Sequence, residues 1–118
     1  MKWEVLNEGG KKIIRFSPLT EVMYYILISL LAPLHGYGVI KKVEKISQGR
    51  VILAAGTLYG ALNTLLNNNL IILIGEDKEN KRRKLYQITD SGKELLKYEI
   101  KRLSSMVESG IDEMGGIE

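Results

Sequence analysis

Three segments in the first part of the chain repeat apolar residues at helical spacing. The first segment, Leu19 to Leu31, is apolar around most of its circumference, and Pro33 follows it. We expect Ser17 to cap this helix and Pro18 to occupy its first position. A helix that is apolar around most of its circumference must be buried on two sides, by its own domain and by a further surface such as a second subunit.

The second segment, Gly36 to Ile46, is amphipathic, and Gly49 follows it as a stop signal. Its lysines fall on the side expected to face solvent. The expected inner stripe is apolar: Tyr37, Ile40, Val43 and Ile46.

The third segment, from about Ala55 to Asn68, has an outer face without a charged residue. One side of the helical wheel holds only alanine and leucine: Leu58, Ala61, Leu62, Leu65 and Leu66. The opposite side and its flanks hold small or polar residues and one tyrosine: Gly56, Thr57, Tyr59, Gly60, Asn63, Thr64 and Asn67. Such residues lower the stability of a helix, but they allow close approach to a partner rich in hydrogen-bonding groups.

Two β-prone runs, Leu70 to Glu76 and Arg82 to Thr89, flank a charged turn and predict a hairpin. A run of basic residues closes the turn: Lys81, Arg82, Arg83 and Lys84. Residues 1–17 read as an appendage, in which Trp3 to Leu6 and Lys11 to Phe16 resemble the strands of another hairpin.

A last helix is predicted to begin within Thr89 to Ser91, where three capping residues stand in a row. One apolar seam runs along it: Leu96, Ile100, Leu103, Val107, Ile111 and Met114. The preceding domain is complete without this helix, so the seam needs another surface to bury it. Folding back on its own domain is one solution; a second copy of the chain, contributing Tyr24 and Ile28, is the simpler one.

Length, charge and cysteine content narrow the classes of protein. The 118 residues suit one domain, and the absence of cysteine excludes disulfides, thiolate zinc sites and cysteine nucleophiles. We expect neither a metal nor a cofactor. Residues 108–118 carry −4 and the rest +7, which suits an anionic partner or a solvated lysine-rich surface. No apolar stretch is long enough to span a bilayer and no signal-peptide pattern is present, so we expect a cytoplasmic protein.

Three helices followed by a hairpin with a basic turn predict a mainly α fold. It is a winged helix–turn–helix in which a three-helix core and a two-stranded wing (18–89) precede a dimerisation helix and acidic tail (90–118). The third helix would read the major groove, where Asn63 suits adenine, and Thr57 and Thr64 suit phosphates or a thymine methyl. Tyr59 would lie in the core or at its rim, where it could also touch a phosphate. The basic turn would reach phosphates or the minor groove, although such runs are often only solvated.

Several short motifs together resemble the PadR family of transcriptional regulators. They are Leu34-His35-Gly36-Tyr37, Gly56-Thr57-Leu58-Tyr59, and Arg83-Lys84-Leu85-Tyr86-Gln87-Ile88-Thr89 followed by Gly92. The resemblance covers Leu19 to Leu103 and implies a dimeric winged helix repressor whose last helix packs on the partner's first helix. It also implies the short-tailed subgroup, with a ligand at the dimer interface. Three features depart from the family: Ala54 in place of a capping residue, Gly60 where proline is common, and the appendage, whose Trp3 or Phe16 would fill the pocket.

We therefore expect a homodimer that binds double-stranded DNA and regulates transcription, as a repressor by family resemblance. A small hydrophobic or aromatic effector is an open alternative to plain interface packing for Tyr24, Tyr25, Tyr98 and Met106. His35 is expected to bond its neighbours in a turn and not to bind a metal. A winged helix that binds another protein and no DNA is the competing function. An enzyme is least favoured, because no phosphate loop, nucleophile–base pair or carboxylate pair is evident.

Overall fold

A computed structural model describes residues 14–76, 78–79 and 83–118. Its elements are a 3-10 helix (Ile14–Phe16), α1 (Glu21–Ser29), α2 (Gly36–Ile46), α3 (Ala55–Asn67), β1 (Ile71–Glu76), β2 (Lys84–Ile88) and α4 (Asp90–Met114). This order confirms the predicted winged helix–turn–helix with a long last helix. The predictions for residues 1–13, and those for Lys81 and Arg82, lie outside the described residues.

The start of α1 differs from the prediction. Its N-cap is Thr20, whose hydroxyl accepts a hydrogen bond from the Met23 N–H at 3.1 Å. Ser17 was the wrong choice, because its hydroxyl donates to Glu99 across the domain. The end of the predicted N-terminal strand is also wrong, since Ile14–Phe16 forms a 3-10 helix.

The core lies between the three helices, the wing and the first turns of α4. Its fully buried side chains are mostly leucine, isoleucine and valine: Ile26, Leu27, Leu30, Val39, Val43, Leu58, Leu62, Leu65, Leu70, Ile71 and Leu95. In α2 the inner stripe contains Val39 in place of Tyr37, which is 54% exposed. The buried position in this first turn belongs to Gly36, where a Cβ would lie 2.5 Å from the Tyr59 Oη.

The wing is an antiparallel pair in which Ile71 lies opposite Ile88, with a register shift between Leu73 and Gly75. The chain between α1 and α2 joins β2 as a third, very short partner. The Leu34 N–H donates to the Tyr86 carbonyl at 3.1 Å, and the Tyr86 N–H donates back to Leu34 at 2.9 Å. β2 is therefore hydrogen-bonded to the segment that precedes α2.

The last helix begins where the sequence predicts, with the Thr89 hydroxyl accepting from the Gly92 N–H at 3.1 Å. It continues through Gly110 and ends at Gly115 in the left-handed conformation, at φ 70°. The prediction that Leu96 faces a partner is wrong, because Leu96 is 3% exposed within its own core. The exposed part of the seam starts at Ile100.

Candidate nucleic-acid interface

The outer face of α3 presents the seven residues that the sequence singled out on this helix. All are exposed: Gly56, Thr57, Tyr59, Gly60, Asn63, Thr64 and Asn67. A Cβ at Gly56 or Gly60 would meet nothing within 4 Å, so the surface there is open. The Thr64 hydroxyl donates to the Gly60 carbonyl at 3.1 Å. Ala54 provides no side-chain cap, as the sequence predicts.

A depression of about 400 Å³ lies beside this face, between the start of α2, α3 and the wing. Among the described residues, its lining consists of the cationic Arg83 and Lys84, three tyrosines (Tyr37, Tyr59 and Tyr86), His35 and Gly36. The fold therefore brings Arg83 and Lys84 of the predicted basic turn next to Tyr59 of the predicted reading helix. The predicted reading helix and the basic start of β2 therefore belong to one surface.

His35 organises the entrance to this depression. Its Nδ1 accepts a hydrogen bond from the Gly38 N–H at 3.0 Å and caps α2, which confirms a turn histidine that bonds its neighbours. The Arg83 Nη1 lies 3.3 Å from the His35 Nε2, so the start of the wing and the turn before α2 are in direct contact at the edge of the depression.

Aromatic rings extend the basic surface of the depression. The Tyr37 ring is nearly parallel to His35, with 4° between the planes, and the Lys41 ammonium lies 5.2 Å from the Tyr37 ring centre. Sequence reasoning missed this association of His35 and Tyr37 with the wing. Burial and the nearby Tyr59 raise the pKa of Tyr86, which keeps its hydroxyl protonated.

The exposed apolar side of α4 is the second candidate surface. It continues the predicted seam beyond the core: Ile100, Leu103, Val107, Ile111 and Met114. Tyr24 and Ile28, predicted to meet a partner's seam, are half-buried on α1. Their part in an interface stays a prediction.

A groove of about 240 Å³ lies on α4 away from that seam. Tyr98, Lys101, Arg102, Ser105 and Met106 line it among the described residues. Of the residues weighed for an effector cavity, the groove thus joins Tyr98 and Met106. Tyr24 and Tyr25 instead meet each other edge to face, with ring centres 5.6 Å apart.

Over the ranges 14–76, 78–79 and 83–118, no group of three acidic or histidine side chains could hold a metal ion. In the same ranges no helix combines the length and apolar character that a bilayer crossing requires.

Comparison with known proteins gives a family and several similar folds. The model of the transcriptional regulator PadR-like family matches residues 26–98. A PadR family regulator from Clostridium difficile is 23% identical, with a TM-score of 0.64, covering 82% of this chain and 100% of that one. A transcriptional regulator from Clostridium thermocellum is 22% identical, with a TM-score of 0.66, covering 92% and 97%.

A third structure is that of Bordetella bronchiseptica BpsR, whose DNA binding is regulated by 6-hydroxynicotinic acid. It is 19% identical, with a TM-score of 0.63, and the match covers 86% of this chain and 70% of that one. At these identities the solved structures show a shared fold. None of the curated proteins matches the sequence.

Proposed function

Since this chain belongs to the PadR-like family of transcriptional regulators, we propose that it binds specific double-stranded DNA sequences as a homodimer and represses transcription. One observation carries the proposal: the uncharged outer face of α3 adjoins a depression lined by Arg83 and Lys84. Occupation of an operator would exclude other proteins from the same groove, which is the simplest route to repression.

The outer face of α3 supports direct reading of bases. The major groove admits one helix, and Gly56 and Gly60 leave no side-chain bulk between that helix and the base edges. Asn63 is exposed at the centre of this face, where its amide can both donate to and accept from adenine. A face without charge also gives no general attraction to the backbone, so its contacts depend on the base sequence.

The depression supports phosphate binding next to that helix. Arg83 and Lys84 line it with two positive charges, and Lys81 and Arg82 belong to the same basic run of the sequence. Contacts of this kind fix the register of a protein on the duplex. Base reading by α3 and backbone binding by the wing would therefore act together.

The exposed seam of α4 supports the homodimer. Leu103, Val107 and Ile111 are 36%, 61% and 37% exposed, although they recur on one side of a single helix. The α4 or α1 of a second copy of the chain would cover this apolar strip. Two reading helices related by a dyad would then meet half-sites about 34 Å apart.

Asn63→Ala and Arg83→Ala should impair DNA binding in different ways. Without Arg83, affinity should fall for every duplex, and the slope of log K against log salt should shrink by about 0.9 for each lost phosphate contact. Without Asn63, discrimination at one base position should fall by about 1–3 kcal/mol. Electrophoretic mobility shifts over a salt series, on duplexes selected from a random pool, measure both effects.

Lys93→Ala is the matched control, because Lys93 is an exposed lysine of α4 outside the depression. It should leave affinity and the salt slope unchanged. If the wild-type protein ignores duplex DNA and binds another protein at high salt, the competing adaptor function is correct. If it binds DNA and both variants behave like the control, the assigned surface is wrong.

The groove on α4 supports a further part of the proposal, a small aromatic or hydrophobic effector. Tyr98 and Met106 offer apolar contact to a ring, and the Lys101 ammonium would attract an acidic group on it. BpsR responds to an aromatic acid of this kind.

We expect 6-hydroxynicotinic acid to raise the melting temperature, since a ligand at 100 times its Kd stabilises the folded state by about 2.7 kcal/mol. Tyr98→Leu should abolish the shift by removing the ring from the groove. Tyr37→Leu, which changes a tyrosine of the other depression, should preserve it. Differential scanning fluorimetry measures all three proteins. No shift in the wild type, or an equal shift in Tyr98→Leu, would reject the groove as the ligand site.

A further inference from the structure

Glu99 is a carboxylate of α4 that the protein buries completely, at 0% exposure. Four hydrogen bonds surround it. Oε2 accepts from the Ser17 hydroxyl at 2.6 Å and from the Arg102 Nε at 2.7 Å. Oε1 accepts from the Leu19 N–H and from the Arg102 Nη2 at 3.1 Å. Each carboxylate oxygen thus accepts two hydrogen bonds. Neither oxygen belongs to the outer face of α3 or to the seam of α4.

These bonds keep the buried group ionised. Burial raises the pKa of Glu99, but the bonds from Arg102, Leu19 and Ser17 lower it by more, so the pKa lies below the ordinary value of 4.5. A buried charge with four matched donors is sensitive to geometry, because any shift of a donor leaves charge uncompensated. Displacing any of these donors should therefore be costly.

Glu99 lies at the boundary between the buried and the exposed part of α4. Leu95 and Leu96 before it are buried in the core, whereas Ile100 after it is 45% exposed. Glu99 thus lies where α4 leaves the domain. Its partner Leu19 directly precedes the N-cap of α1, Thr20. The bond set joins the exit point of α4 to the entry point of α1.

We propose that Glu99 is a positioning residue that fixes the direction of α4 relative to α1 and thereby sets the spacing of the two half-sites in the operator. The inference rests on the proposed function, because it needs a homodimer that binds DNA. The helix extends from Ile100 to Met114, about 21 Å at 1.5 Å per residue. A 10° change in its direction would displace the far end by about 3.6 Å, which is close to the 3.4 Å rise of one base step.

Glu99→Gln tests the proposal, because it keeps the size of the side chain and removes its charge. Glu94→Gln is the matched control: Glu94 also pairs with a cation three residues later on α4, Lys97 at 3.1 Å, but on the exposed surface. Each protein selects duplexes from a random pool, and sequencing gives both the half-site and the number of base pairs between half-sites.

We expect Glu99→Gln to select the same half-site with a broader or shifted spacing. Its preference for the wild-type spacing over one base pair more or less should fall by roughly fivefold or more. Glu94→Gln should match the wild type in both respects. An unchanged spacing in folded Glu99→Gln would overturn the positioning role and leave the proposed function intact. Failure of the wild type to select any duplex would instead remove the proposed function.

Two further measurements decide the matter if Glu99→Gln does not fold. Ser17→Ala removes one of the four bonds and should broaden the spacing in the same sense, by less; an unchanged spacing would overturn the proposal. The chain has no cysteine, so Lys45→Cys, at an exposed site of α2, gives one spin label per protomer. The label-to-label distance in the dimer should be narrow in wild type and broader in Ser17→Ala. Equal widths would count against Glu99 as the positioning residue.

Discussion

Replacing Leu103 with glutamate should yield a folded monomer that binds a two-half-site operator roughly 10²–10⁴-fold more weakly than the wild type. Leu103 lies within the exposed seam of α4, between Ile100 and Val107. A carboxylate there would be buried without a partner if two seams met, at a cost that exceeds what the apolar strip contributes. The protomer itself should keep its fold, because the side chain is outside the core.

Sedimentation velocity gives the oligomeric state of Leu103→Glu, and mobility shifts give its affinity. Ser109→Glu is the matched control, since it adds the same charge about 1.7 turns later, about 120° around the helix from Leu103 and outside the seam. That variant should remain a dimer with wild-type affinity. A dimeric Leu103→Glu would show that the seam of α4 is not the interface, whatever its affinity for DNA.

Gly92→Ala should destabilise the protein by about 3 kcal/mol, which corresponds to a fall of roughly 10 °C or more in melting temperature. A Cβ at Gly92 would overlap the Leu70 carbonyl oxygen and lie 2.5 Å from the Ile88 Cγ1. That carbonyl cannot retreat freely, because it accepts the Thr89 N–H at 3.0 Å. The first turn of α4 would have to move away from the wing.

Gly110→Ala is the control on the same helix, because a Cβ at Gly110 meets nothing within 4 Å. It should stabilise the protein by about 0.5–1 kcal/mol through the lower entropy of the unfolded chain. Thermal unfolding by circular dichroism, at one protein concentration, measures both variants. Equal melting temperatures for the two alanine variants would contradict the close approach of α4 to Leu70.

Local patterns predicted most of the fold because they coincide with its packing. The bounds of α2 agree with the prediction, and α3 ends one residue earlier than expected. The uncharged face of α3 followed from the helical wheel alone. The order of elements then predicted that Arg83 and Lys84 would lie near that face.

Contacts between distant parts of the chain account for the errors. Ser17 and Pro18 form a good helix start by local criteria, but Glu99, 82 residues after Ser17, takes the serine hydroxyl and the Leu19 N–H. Leu96 has the spacing of the seam, and periodicity cannot tell which surface covers each turn. Glu99 itself looks like an ordinary surface residue in a charged helix, because its donors come from the other end of the chain.

If the protein binds DNA as proposed, the bond pair between Leu34 and Tyr86 should affect the rate of binding. Because β2 is hydrogen-bonded at Tyr86 to the segment that enters α2, this part of the wing should have little internal freedom to lose on binding a duplex. Encounter then resembles the docking of a rigid body, with an orientational barrier but no folding step. Substitutions on α3 would then change the rate of dissociation from the operator more than the rate of association.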